Sequence, residues 1–283
     1  MKLNFFKKKP TFANLKTFLI LLCLIYAMVE KVAVVIPTKN EAKTLPFLVC
    51  SLKNQNLPRI KIFVADANSS DKTREIAKKM GCVVVDGGTP TVGRNNGAQR
   101  AIKENSKILI FIDSDVILPS KDFLKKSLEE FNQKKLDLAG TTQIPLDLDS
   151  KLNLKNIFKS CKHSYKITYN LFYGFANIGM KLNQHSKNPF MQNCMFAKSE
   201  VHKTIKGFQP LEFGEDSKYS EDAVKHGYKF GILESGGKVF VSPRRLESKG
   251  FLHMLWVYAY FNVGRIIFKH EFIQGITRRK YFD

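Results

Sequence analysis

Two aspartates stand two residues apart at Asp113-Ser114-Asp115, directly after the apolar run 107–112 (KILIFI). At an extended strand end, carboxylates with that spacing can face one divalent cation, and oxygen ligands select hard ions such as Mg²⁺ or Mn²⁺. Such an ion would bridge the protein to a diphosphate and neutralise a departing one. Arg94, inside Gly93-Arg94-Asn95-Asn96-Gly97, can add charge-assisted bonds to phosphate oxygens. Asp66, which closes a second apolar run, can accept hydrogen bonds from a base or a ribose. No GxxxxGK[ST] occurs, so a nucleotide-diphosphate site here works without a P-loop. Each group also has a plain structural reading. Asp71 can cap its helix, Asn68 and Ser69 can make a turn, and an isolated Asp-Ser-Asp is more often a turn than a metal site.

What ties these groups together is where they fall. The run 31–36 (KVAVVI) ends at Pro37 and reads as a buried strand, followed by a helix over 41–53. Strand 60–65 leads to helix 71–79, short strand 82–85 to helix 92–104, strand 107–112 to helix 120–133, and then a strand over 136–141. Strand and helix in alternation predict an α/β fold with a doubly wound, mostly parallel sheet flanked by helices. Ligands on such sheets bind beyond the carboxyl ends of the strands. Pro37-Thr38-Lys39-Asn40-Glu41, Asp66-Ala67-Asn68-Ser69 and Asp113-Ser114-Asp115 all sit at strand ends, and Gly93-Arg94 sits in the helix after the third strand.

The chain has 283 residues, 44% hydrophobic and 25% charged, which excludes a wholly disordered chain and allows a real core. No collagen-like, heptad or solenoid repeat is present. Lys and Arg number 46 against 25 Asp and Glu, a net charge of +21. That charge favours an anionic partner: phospholipid headgroups, phosphorylated substrate or nucleic acid. No standard nucleic-acid motif occurs, so no nucleic-acid partner is expected. Five Cys without a CxxC fit neither a disulfide framework nor a zinc site, and favour a reducing compartment.

The four motifs taken in order resemble the family 2 glycosyltransferases of the GT-A fold. They are V-V-I-P-T-K-N-E (Val34–Glu41), V-A-D-A-N-S-S-D-K-T (Val64–Thr73), G-R-N-N-G (Gly93–Gly97) and I-D-S-D (Ile112–Asp115), followed less tightly by N-C-M-F-A-K-S (Asn193–Ser199), G-F-Q-P-L-E-F-G-E-D (Gly207–Asp216) and H-G-Y (His226–Tyr228). The resemblance implies an inverting, metal-dependent transfer of one sugar from a UDP- or GDP-sugar to a glycan or lipid-linked acceptor, as in cell-envelope glycan synthesis. By the same resemblance Pro37, Thr38, Asn40, Glu41, Asp66, Asn68, Gly93, Arg94, Asp113 and Ser114 would hold the nucleotide-sugar. Asp113 and Asp115 would hold Mn²⁺ or Mg²⁺. Glu215-Asp216 matches the family's Glu-Asp pair, in which the Asp is the catalytic base. A helix N-terminus would favour the same two acids without any chemistry.

The chain departs from the family pattern in places. Ala67 replaces a second acid, and Asp222 stands where many relatives carry an Arg. The processive Gln-x-x-Arg-Trp is absent. Ser242-Pro243-Arg244-Arg245-Leu246 stands there instead, and Arg244 and Arg245 could clamp a phosphate of donor or acceptor. One sugar per event is therefore expected. A nucleotidyltransferase is the alternative enzyme, although its usual Gly-rich first loop is missing. A non-catalytic, membrane-associated member of the same fold is the third reading.

Three segments follow: an apolar, membrane-associated stretch over 1–30, a glycosyltransferase-like domain over 31–245, and an amphipathic basic helical tail over 246–283. The apolar run 17–29 makes a rod of roughly 20 Å, short of a ~30 Å hydrocarbon core. In the tail, Leu252, Leu255, Trp256, Tyr260, Val263 and Ile267 recur at helical spacing beside Arg265 and Lys269, a pattern that fits an interfacial helix and equally a C-terminal helix packed on the core. Lys7–Lys9 should stay cytoplasmic, so an anchor entering one leaflet and keeping the catalytic domain cytoplasmic is expected.

Overall fold

A computed structural model describes residues 31–267, apart from 59, 148–150, 165, 212 and 213, and the side chains of 261–267. The apolar N-terminal stretch and the basic end of the chain lie outside the described residues.

The chain runs β1 (Val32–Thr38), α1 (Leu45–Lys53), β2 (Ile60–Asp66), α2 (Thr73–Lys79), β3 (Val83–Asp86), α3 (Pro90–Lys103), β4 (Ile108–Ile112), β5 (Val116–Ile117), α4 (Phe123–Gln133), β6 (Leu138–Thr141) and β7 (Gln143–Pro145). A 3₁₀ turn, Leu154–Asn156, precedes α5 (Ile157–Ser160) and α6 (Ile167–Asn183). Then come β8 (Cys194–Lys198), α7 (Ser199–Thr204), α8 (Glu215–Lys225), β9 (Phe230–Leu233), β10 (Val239–Val241), α9 (Arg244–Lys249) and α10 (Phe251–Ile267).

Seven strands form one sheet in the order β3-β2-β1-β4-β8-β6-β9. β1 and β4 are buried on both faces, because helices cover each side of a parallel sheet. The register aligns Thr38 with Asp66 and Asp66 with Asp86, so these strands end along one edge. The expected α/β class holds, with two additions. β8 runs antiparallel to both β4 and β6. A second, three-stranded sheet has the order β5-β10-β7, and its β5 begins four residues after the carboxyl end of β4.

Helix starts fall two to four residues later than predicted at α1, α2 and α4, because the polar residues before them are spent in turns. Asp71 is one: its carboxylate accepts from Thr73 N (2.9 Å) and from Ala42 N (3.1 Å). α3 starts earlier, at Pro90, behind Thr89, whose hydroxyl accepts from Val92 N. Gly97 lets α3 lie against the sheet. A Cβ there would sit 2.4 Å from Val35 Cγ1.

A boundary after 245 would cut through α9. Leu246, Met254 and Val257 are buried, and Leu246 and Met254 belong to the same core as Val116 and Val239. The described part of the predicted tail is therefore packed on the main body. Among the described residues no helix is long and apolar enough to cross a membrane, and Cys50, Cys82, Cys161 and Cys194 are free thiols.

Candidate active site

At the carboxyl edge of the large sheet lies an open cleft of about 550 Å³. Its floor is built around Arg94. α3 carries this side chain inward until it is 3% exposed, and three carboxylates from two other stretches of chain meet it. Nη2 donates to Asp113 Oδ1 at 2.8 Å, Nη1 donates to Glu215 Oε1 at 2.8 Å, and Asp216 Oδ1 lies 3.3 Å from Nη1. The guanidinium carbon also lies 5.4 Å from the centre of the Phe208 ring.

The neighbouring Asn95 fixes the chain that delivers the two acids. Its Nδ2 donates to Phe208 O and its Oδ1 accepts from Phe208 N, both at 2.8 Å. Gly214, at φ +77°, then turns the chain into α8, a left-handed conformation open to glycine at little cost. Glu215 and Asp216 thus fall in the first turn of α8, as the structural reading of the pair required, and in the cleft as well. The motif Gly93–Gly97 therefore assembles the acidic floor. Arg94 meets carboxylates where sequence reasoning gave it phosphates.

A second guanidinium closes the other side. Arg244 Nη2 lies 3.0 Å from Glu41 Oε1 and 3.1 Å from Asp115 Oδ2, joining the loop after β1, the Asp-Ser-Asp turn and α9. Glu41 also accepts from the Thr44 hydroxyl. Arg245 lines the cleft beside it.

Charge in this confined space shifts the titrations. Burial pushes Asp216 up to about 8. Arg94 pulls the other way, and Glu215 and Asp113 push further up. Its Oδ1 is buried without a hydrogen-bond partner, while a fifth of the side chain faces the cleft. Burial and Asp113 also raise Asp115, against Arg244. For Arg94, burial is outweighed by the three carboxylates, which hold it firmly protonated.

Pro37, Thr38, Glu41, Arg94, Asp113, Ser114, Asp115, Glu215, Asp216, Arg244 and Arg245 all line the cleft. Four expected residues do not. Asp66 is 2% exposed and accepts from Ser69 N (3.2 Å) and Ser69 Oγ (2.6 Å). Asn40 accepts from Ser70 N at 2.9 Å, tying the loop after β1 to the one after β2. Asn40 and Asn68 both adopt φ +55°, a turn conformation that Asn tolerates. Gly93 faces Ala65 and Pro37 across the helix–sheet contact.

The cleft also holds residues the motif reading passed over. Gln143 and Gln192 are hydrogen-bonded, and Asn193 Nδ2 donates to Gln143 Oε1 at 2.6 Å. Asn177 on α6 grips the Gln143 backbone from both sides, accepting from N at 2.9 Å and donating to O at 2.7 Å. Phe172, Tyr173, Phe190, Met191, Met254 and Tyr258 form an apolar wall. Phe172 and Tyr173 line the cleft and belong to the hydrophobic core as well.

The donor set suits a divalent cation carried in with a diphosphate. Five carboxylates (Glu41, Asp113, Asp115, Glu215, Asp216) meet three guanidiniums (Arg94, Arg244, Arg245) in the cleft, with Lys39 at the exposed rim. No group of three or more His, Cys, Asp or Glu among the described residues is placed to hold an ion alone. Asp113 and Asp115 would be its protein ligands, with phosphate oxygens and water completing the shell.

An α/β sheet with acidic strand ends around a nucleotide-sized cleft defines the GT-A class of fold. The chain matches Glycosyl transferase family 2 over residues 33–199, more than half its length, and it belongs to that family. A 111-residue stretch is 34% identical to 4,4'-diaponeurosporenoate glycosyltransferase of Staphylococcus haemolyticus (strain JCSC1435), covering 36% of this chain and 28% of that protein. The chain thus matches little more than a quarter of that curated relative's length. S. aureus TarS 1-349 superposes with a TM-score of 0.54 at 17% identity, over 81% of this chain and 65% of that one, and a structure of it holds UDP-GlcNAc. The mannosyltransferase PcManGT from Pyrobaculum calidifontis, in complex with GDP-Man and Mn²⁺, superposes with a TM-score of 0.53 at 15% identity, over 81% of this chain and 64% of that one. At these identities the two structures share the fold.

Proposed function

We propose that this protein transfers one sugar from a nucleoside-diphosphate sugar to an acceptor hydroxyl, with inversion and with Asp216 as general base. The observation that carries this reading is the Arg94 cluster, which brings Asp113, Glu215 and Asp216 to one cleft floor from distant parts of the sequence. The donors named for the two superposed glycosyltransferase structures, UDP-GlcNAc and GDP-Man, support the donor class.

Asp216 takes the proton from the acceptor O–H as that oxygen forms its bond to the anomeric carbon. The bond from that carbon to the diphosphate oxygen breaks on the opposite face, and the nucleoside diphosphate leaves with the electron pair. A base with a pKa near 8 is well matched to this work at neutral pH. Glu215 shares the load of Arg94, which keeps the guanidinium from lying on Asp216 alone. A divalent ion bound at Asp113 and Asp115 would offset charge on the departing diphosphate. Arg244 and Arg245 line the same cleft and offer guanidiniums that would pair with phosphate oxygens. The apolar wall favours an acceptor with an apolar portion, in line with a lipid-linked one. Nucleotidyl transfer has no such use for a buried base beside an apolar wall.

The test is release of nucleoside diphosphate from a panel of UDP- and GDP-sugars with Mn²⁺ or Mg²⁺ and membrane-lipid or glycan acceptors. Release by the wild type, lost in Asp216→Asn with donor binding intact, is the expected result. Equal turnover by Asp216→Asn would refute the base. Donor binding without turnover across the panel would favour a non-catalytic member.

A further inference from the structure

Helix α6 is apolar on two opposite faces. Tyr169, Phe172, Tyr173 and Met180 pack inward. Ile167, Leu171, Phe175, Ile178 and Leu182 recur at spacings of four, four, three and four, and they lie on an arc of about 80° at about 100° per residue. This arc points away from the core: the five are 74%, 46%, 57%, 56% and 81% exposed. A helix that is hydrophobic all round is normally buried all round. Singly exposed apolar residues need no explanation, but a continuous row of five does.

The charge of the stretch that carries the row is one-sided. Residues 151–199 contain eight Lys (151, 155, 159, 162, 166, 181, 187 and 198) and no Asp or Glu. Most of these lysines are exposed. α10, which meets α6 through the Phe172–Tyr258 ring contact, adds the exposed Leu252 and Trp256, with Lys249 before them. Lys181 pairs with Glu234, Lys198 with Asp137, and Lys166 lies 3.7 Å from Glu247, while Lys151, Lys155, Lys159, Lys162 and Lys187 are exposed. An apolar row on a stretch of that charge matches a bilayer surface with anionic headgroups, where the apolar chains enter the interface and the ammonium groups meet phosphate. The opposite face of α6 is packed on the core, so the helix would lie in the membrane plane with its outer face alone in contact.

We infer that the outer face of α6 is a docking surface for an anionic phospholipid bilayer. Docking there sets the inward face of the same helix, with Phe172 and Tyr173 on the cleft wall, about one helix diameter from the lipid. The inference needs the exposed face alone and stands whether or not the cleft transfers sugar.

The experiment uses the full chain carrying Trp256→Phe and Phe175→Trp, since the protein has one tryptophan and the new indole then reports from the row. Vesicles of brominated phosphatidylcholine, with and without phosphatidylglycerol, are added and sedimentation is followed in parallel. The expected result is a blue shift and bromine quenching with phosphatidylglycerol vesicles, weakened in high salt. Adding Leu171→Ser and Ile178→Ser should cut the quenching severalfold. Sedimentation with vesicles while the indole stays unquenched would overturn the inference, because the protein would then be held elsewhere. Equal quenching in neutral vesicles would overturn the part played by charge. A concentration-dependent blue shift without vesicles would reassign the face to self-association, and an indole already shielded at every concentration would assign it to cover by the chain itself.

Discussion

Asp216 carries two opposed demands. As a base it must ionise, yet its burial beside Glu215 and Asp113 resists ionisation. The sign of the pH effect follows. In the unfolded chain this carboxyl ionises near pH 4, and in the fold near 8, so across that window the unfolded state holds fewer protons. Its contribution to stability is full below pH 4 and is lost as pH rises towards 8. Asp216→Asn should therefore leave Tm unchanged or higher at pH 8 and reduce turnover by about 10²–10⁴. Melting curves at pH 5 and pH 8 beside a turnover assay check this. For the wild type, kcat/KM should climb with pH to a plateau with an apparent pKa near 8; a profile flat from pH 6 to 9 would speak against this base. Arg94 is the converse case. Arg94→Ala removes a buried guanidinium from three half-buried carboxylates, a loss of at most about 3–5 kcal/mol, and should lower Tm by roughly 5–15 °C. The deficit should shrink at pH 5, where Asp216, already raised by burial, is protonated.

At the scale of elements, the site depends on how closely α3 lies on β1. Gly97→Ala would drive a Cβ into Val35 Cγ1, costing about 1–3 kcal/mol and displacing Arg94 from its partners. Val35→Ala in the same chain should restore much of the loss, and a thermal-melt double-mutant cycle reads this out. The same contact shows what a sequence displays and what it hides. β1 and β4 were legible because strands buried on both faces are unbroken apolar runs. The direction of β8 was not, since an apolar strand reads the same either way until its neighbours are known. β5, β7 and β10 span two or three residues each, too few to show a period. Gln143 stayed hidden because its role depends on Asn177, Gln192 and Asn193, residues at least 34 positions away. Arg94 was picked out correctly as a site residue but given phosphate partners, because its carboxylates come from residues 19 and 121 positions along the chain.

For the whole molecule, the +21 charge is partly local in origin. The cleft floor is acidic, while the stretch carrying α6 has lysines and no acids. The proposed donor cleft and the inferred α6 docking face thus differ in charge. The two should separate in salt. Raising ionic strength well above the physiological range, where the Debye length falls to about 3 Å at 1 M, should release binding through the α6 face. Donor binding in the partly buried cleft should change much less. Vesicle sedimentation and donor titration at matched salt compare the two.

The cleft beyond β1 and β4 should bind a nucleoside diphosphate together with a divalent ion, and thermal unfolding with UDP and GDP, each with and without Mn²⁺, in the wild type and in Asp115→Asn, tests this. A ligand at 100 times its dissociation constant stabilises by about 2.7 kcal/mol, a shift of roughly 5–10 °C for a chain of this size. Such a shift is expected for one nucleotide with Mn²⁺, and should be lost without metal or in Asp115→Asn. No shift with either nucleotide, or an equal shift in Asp115→Asn, would rule out a metal–diphosphate site in this cleft.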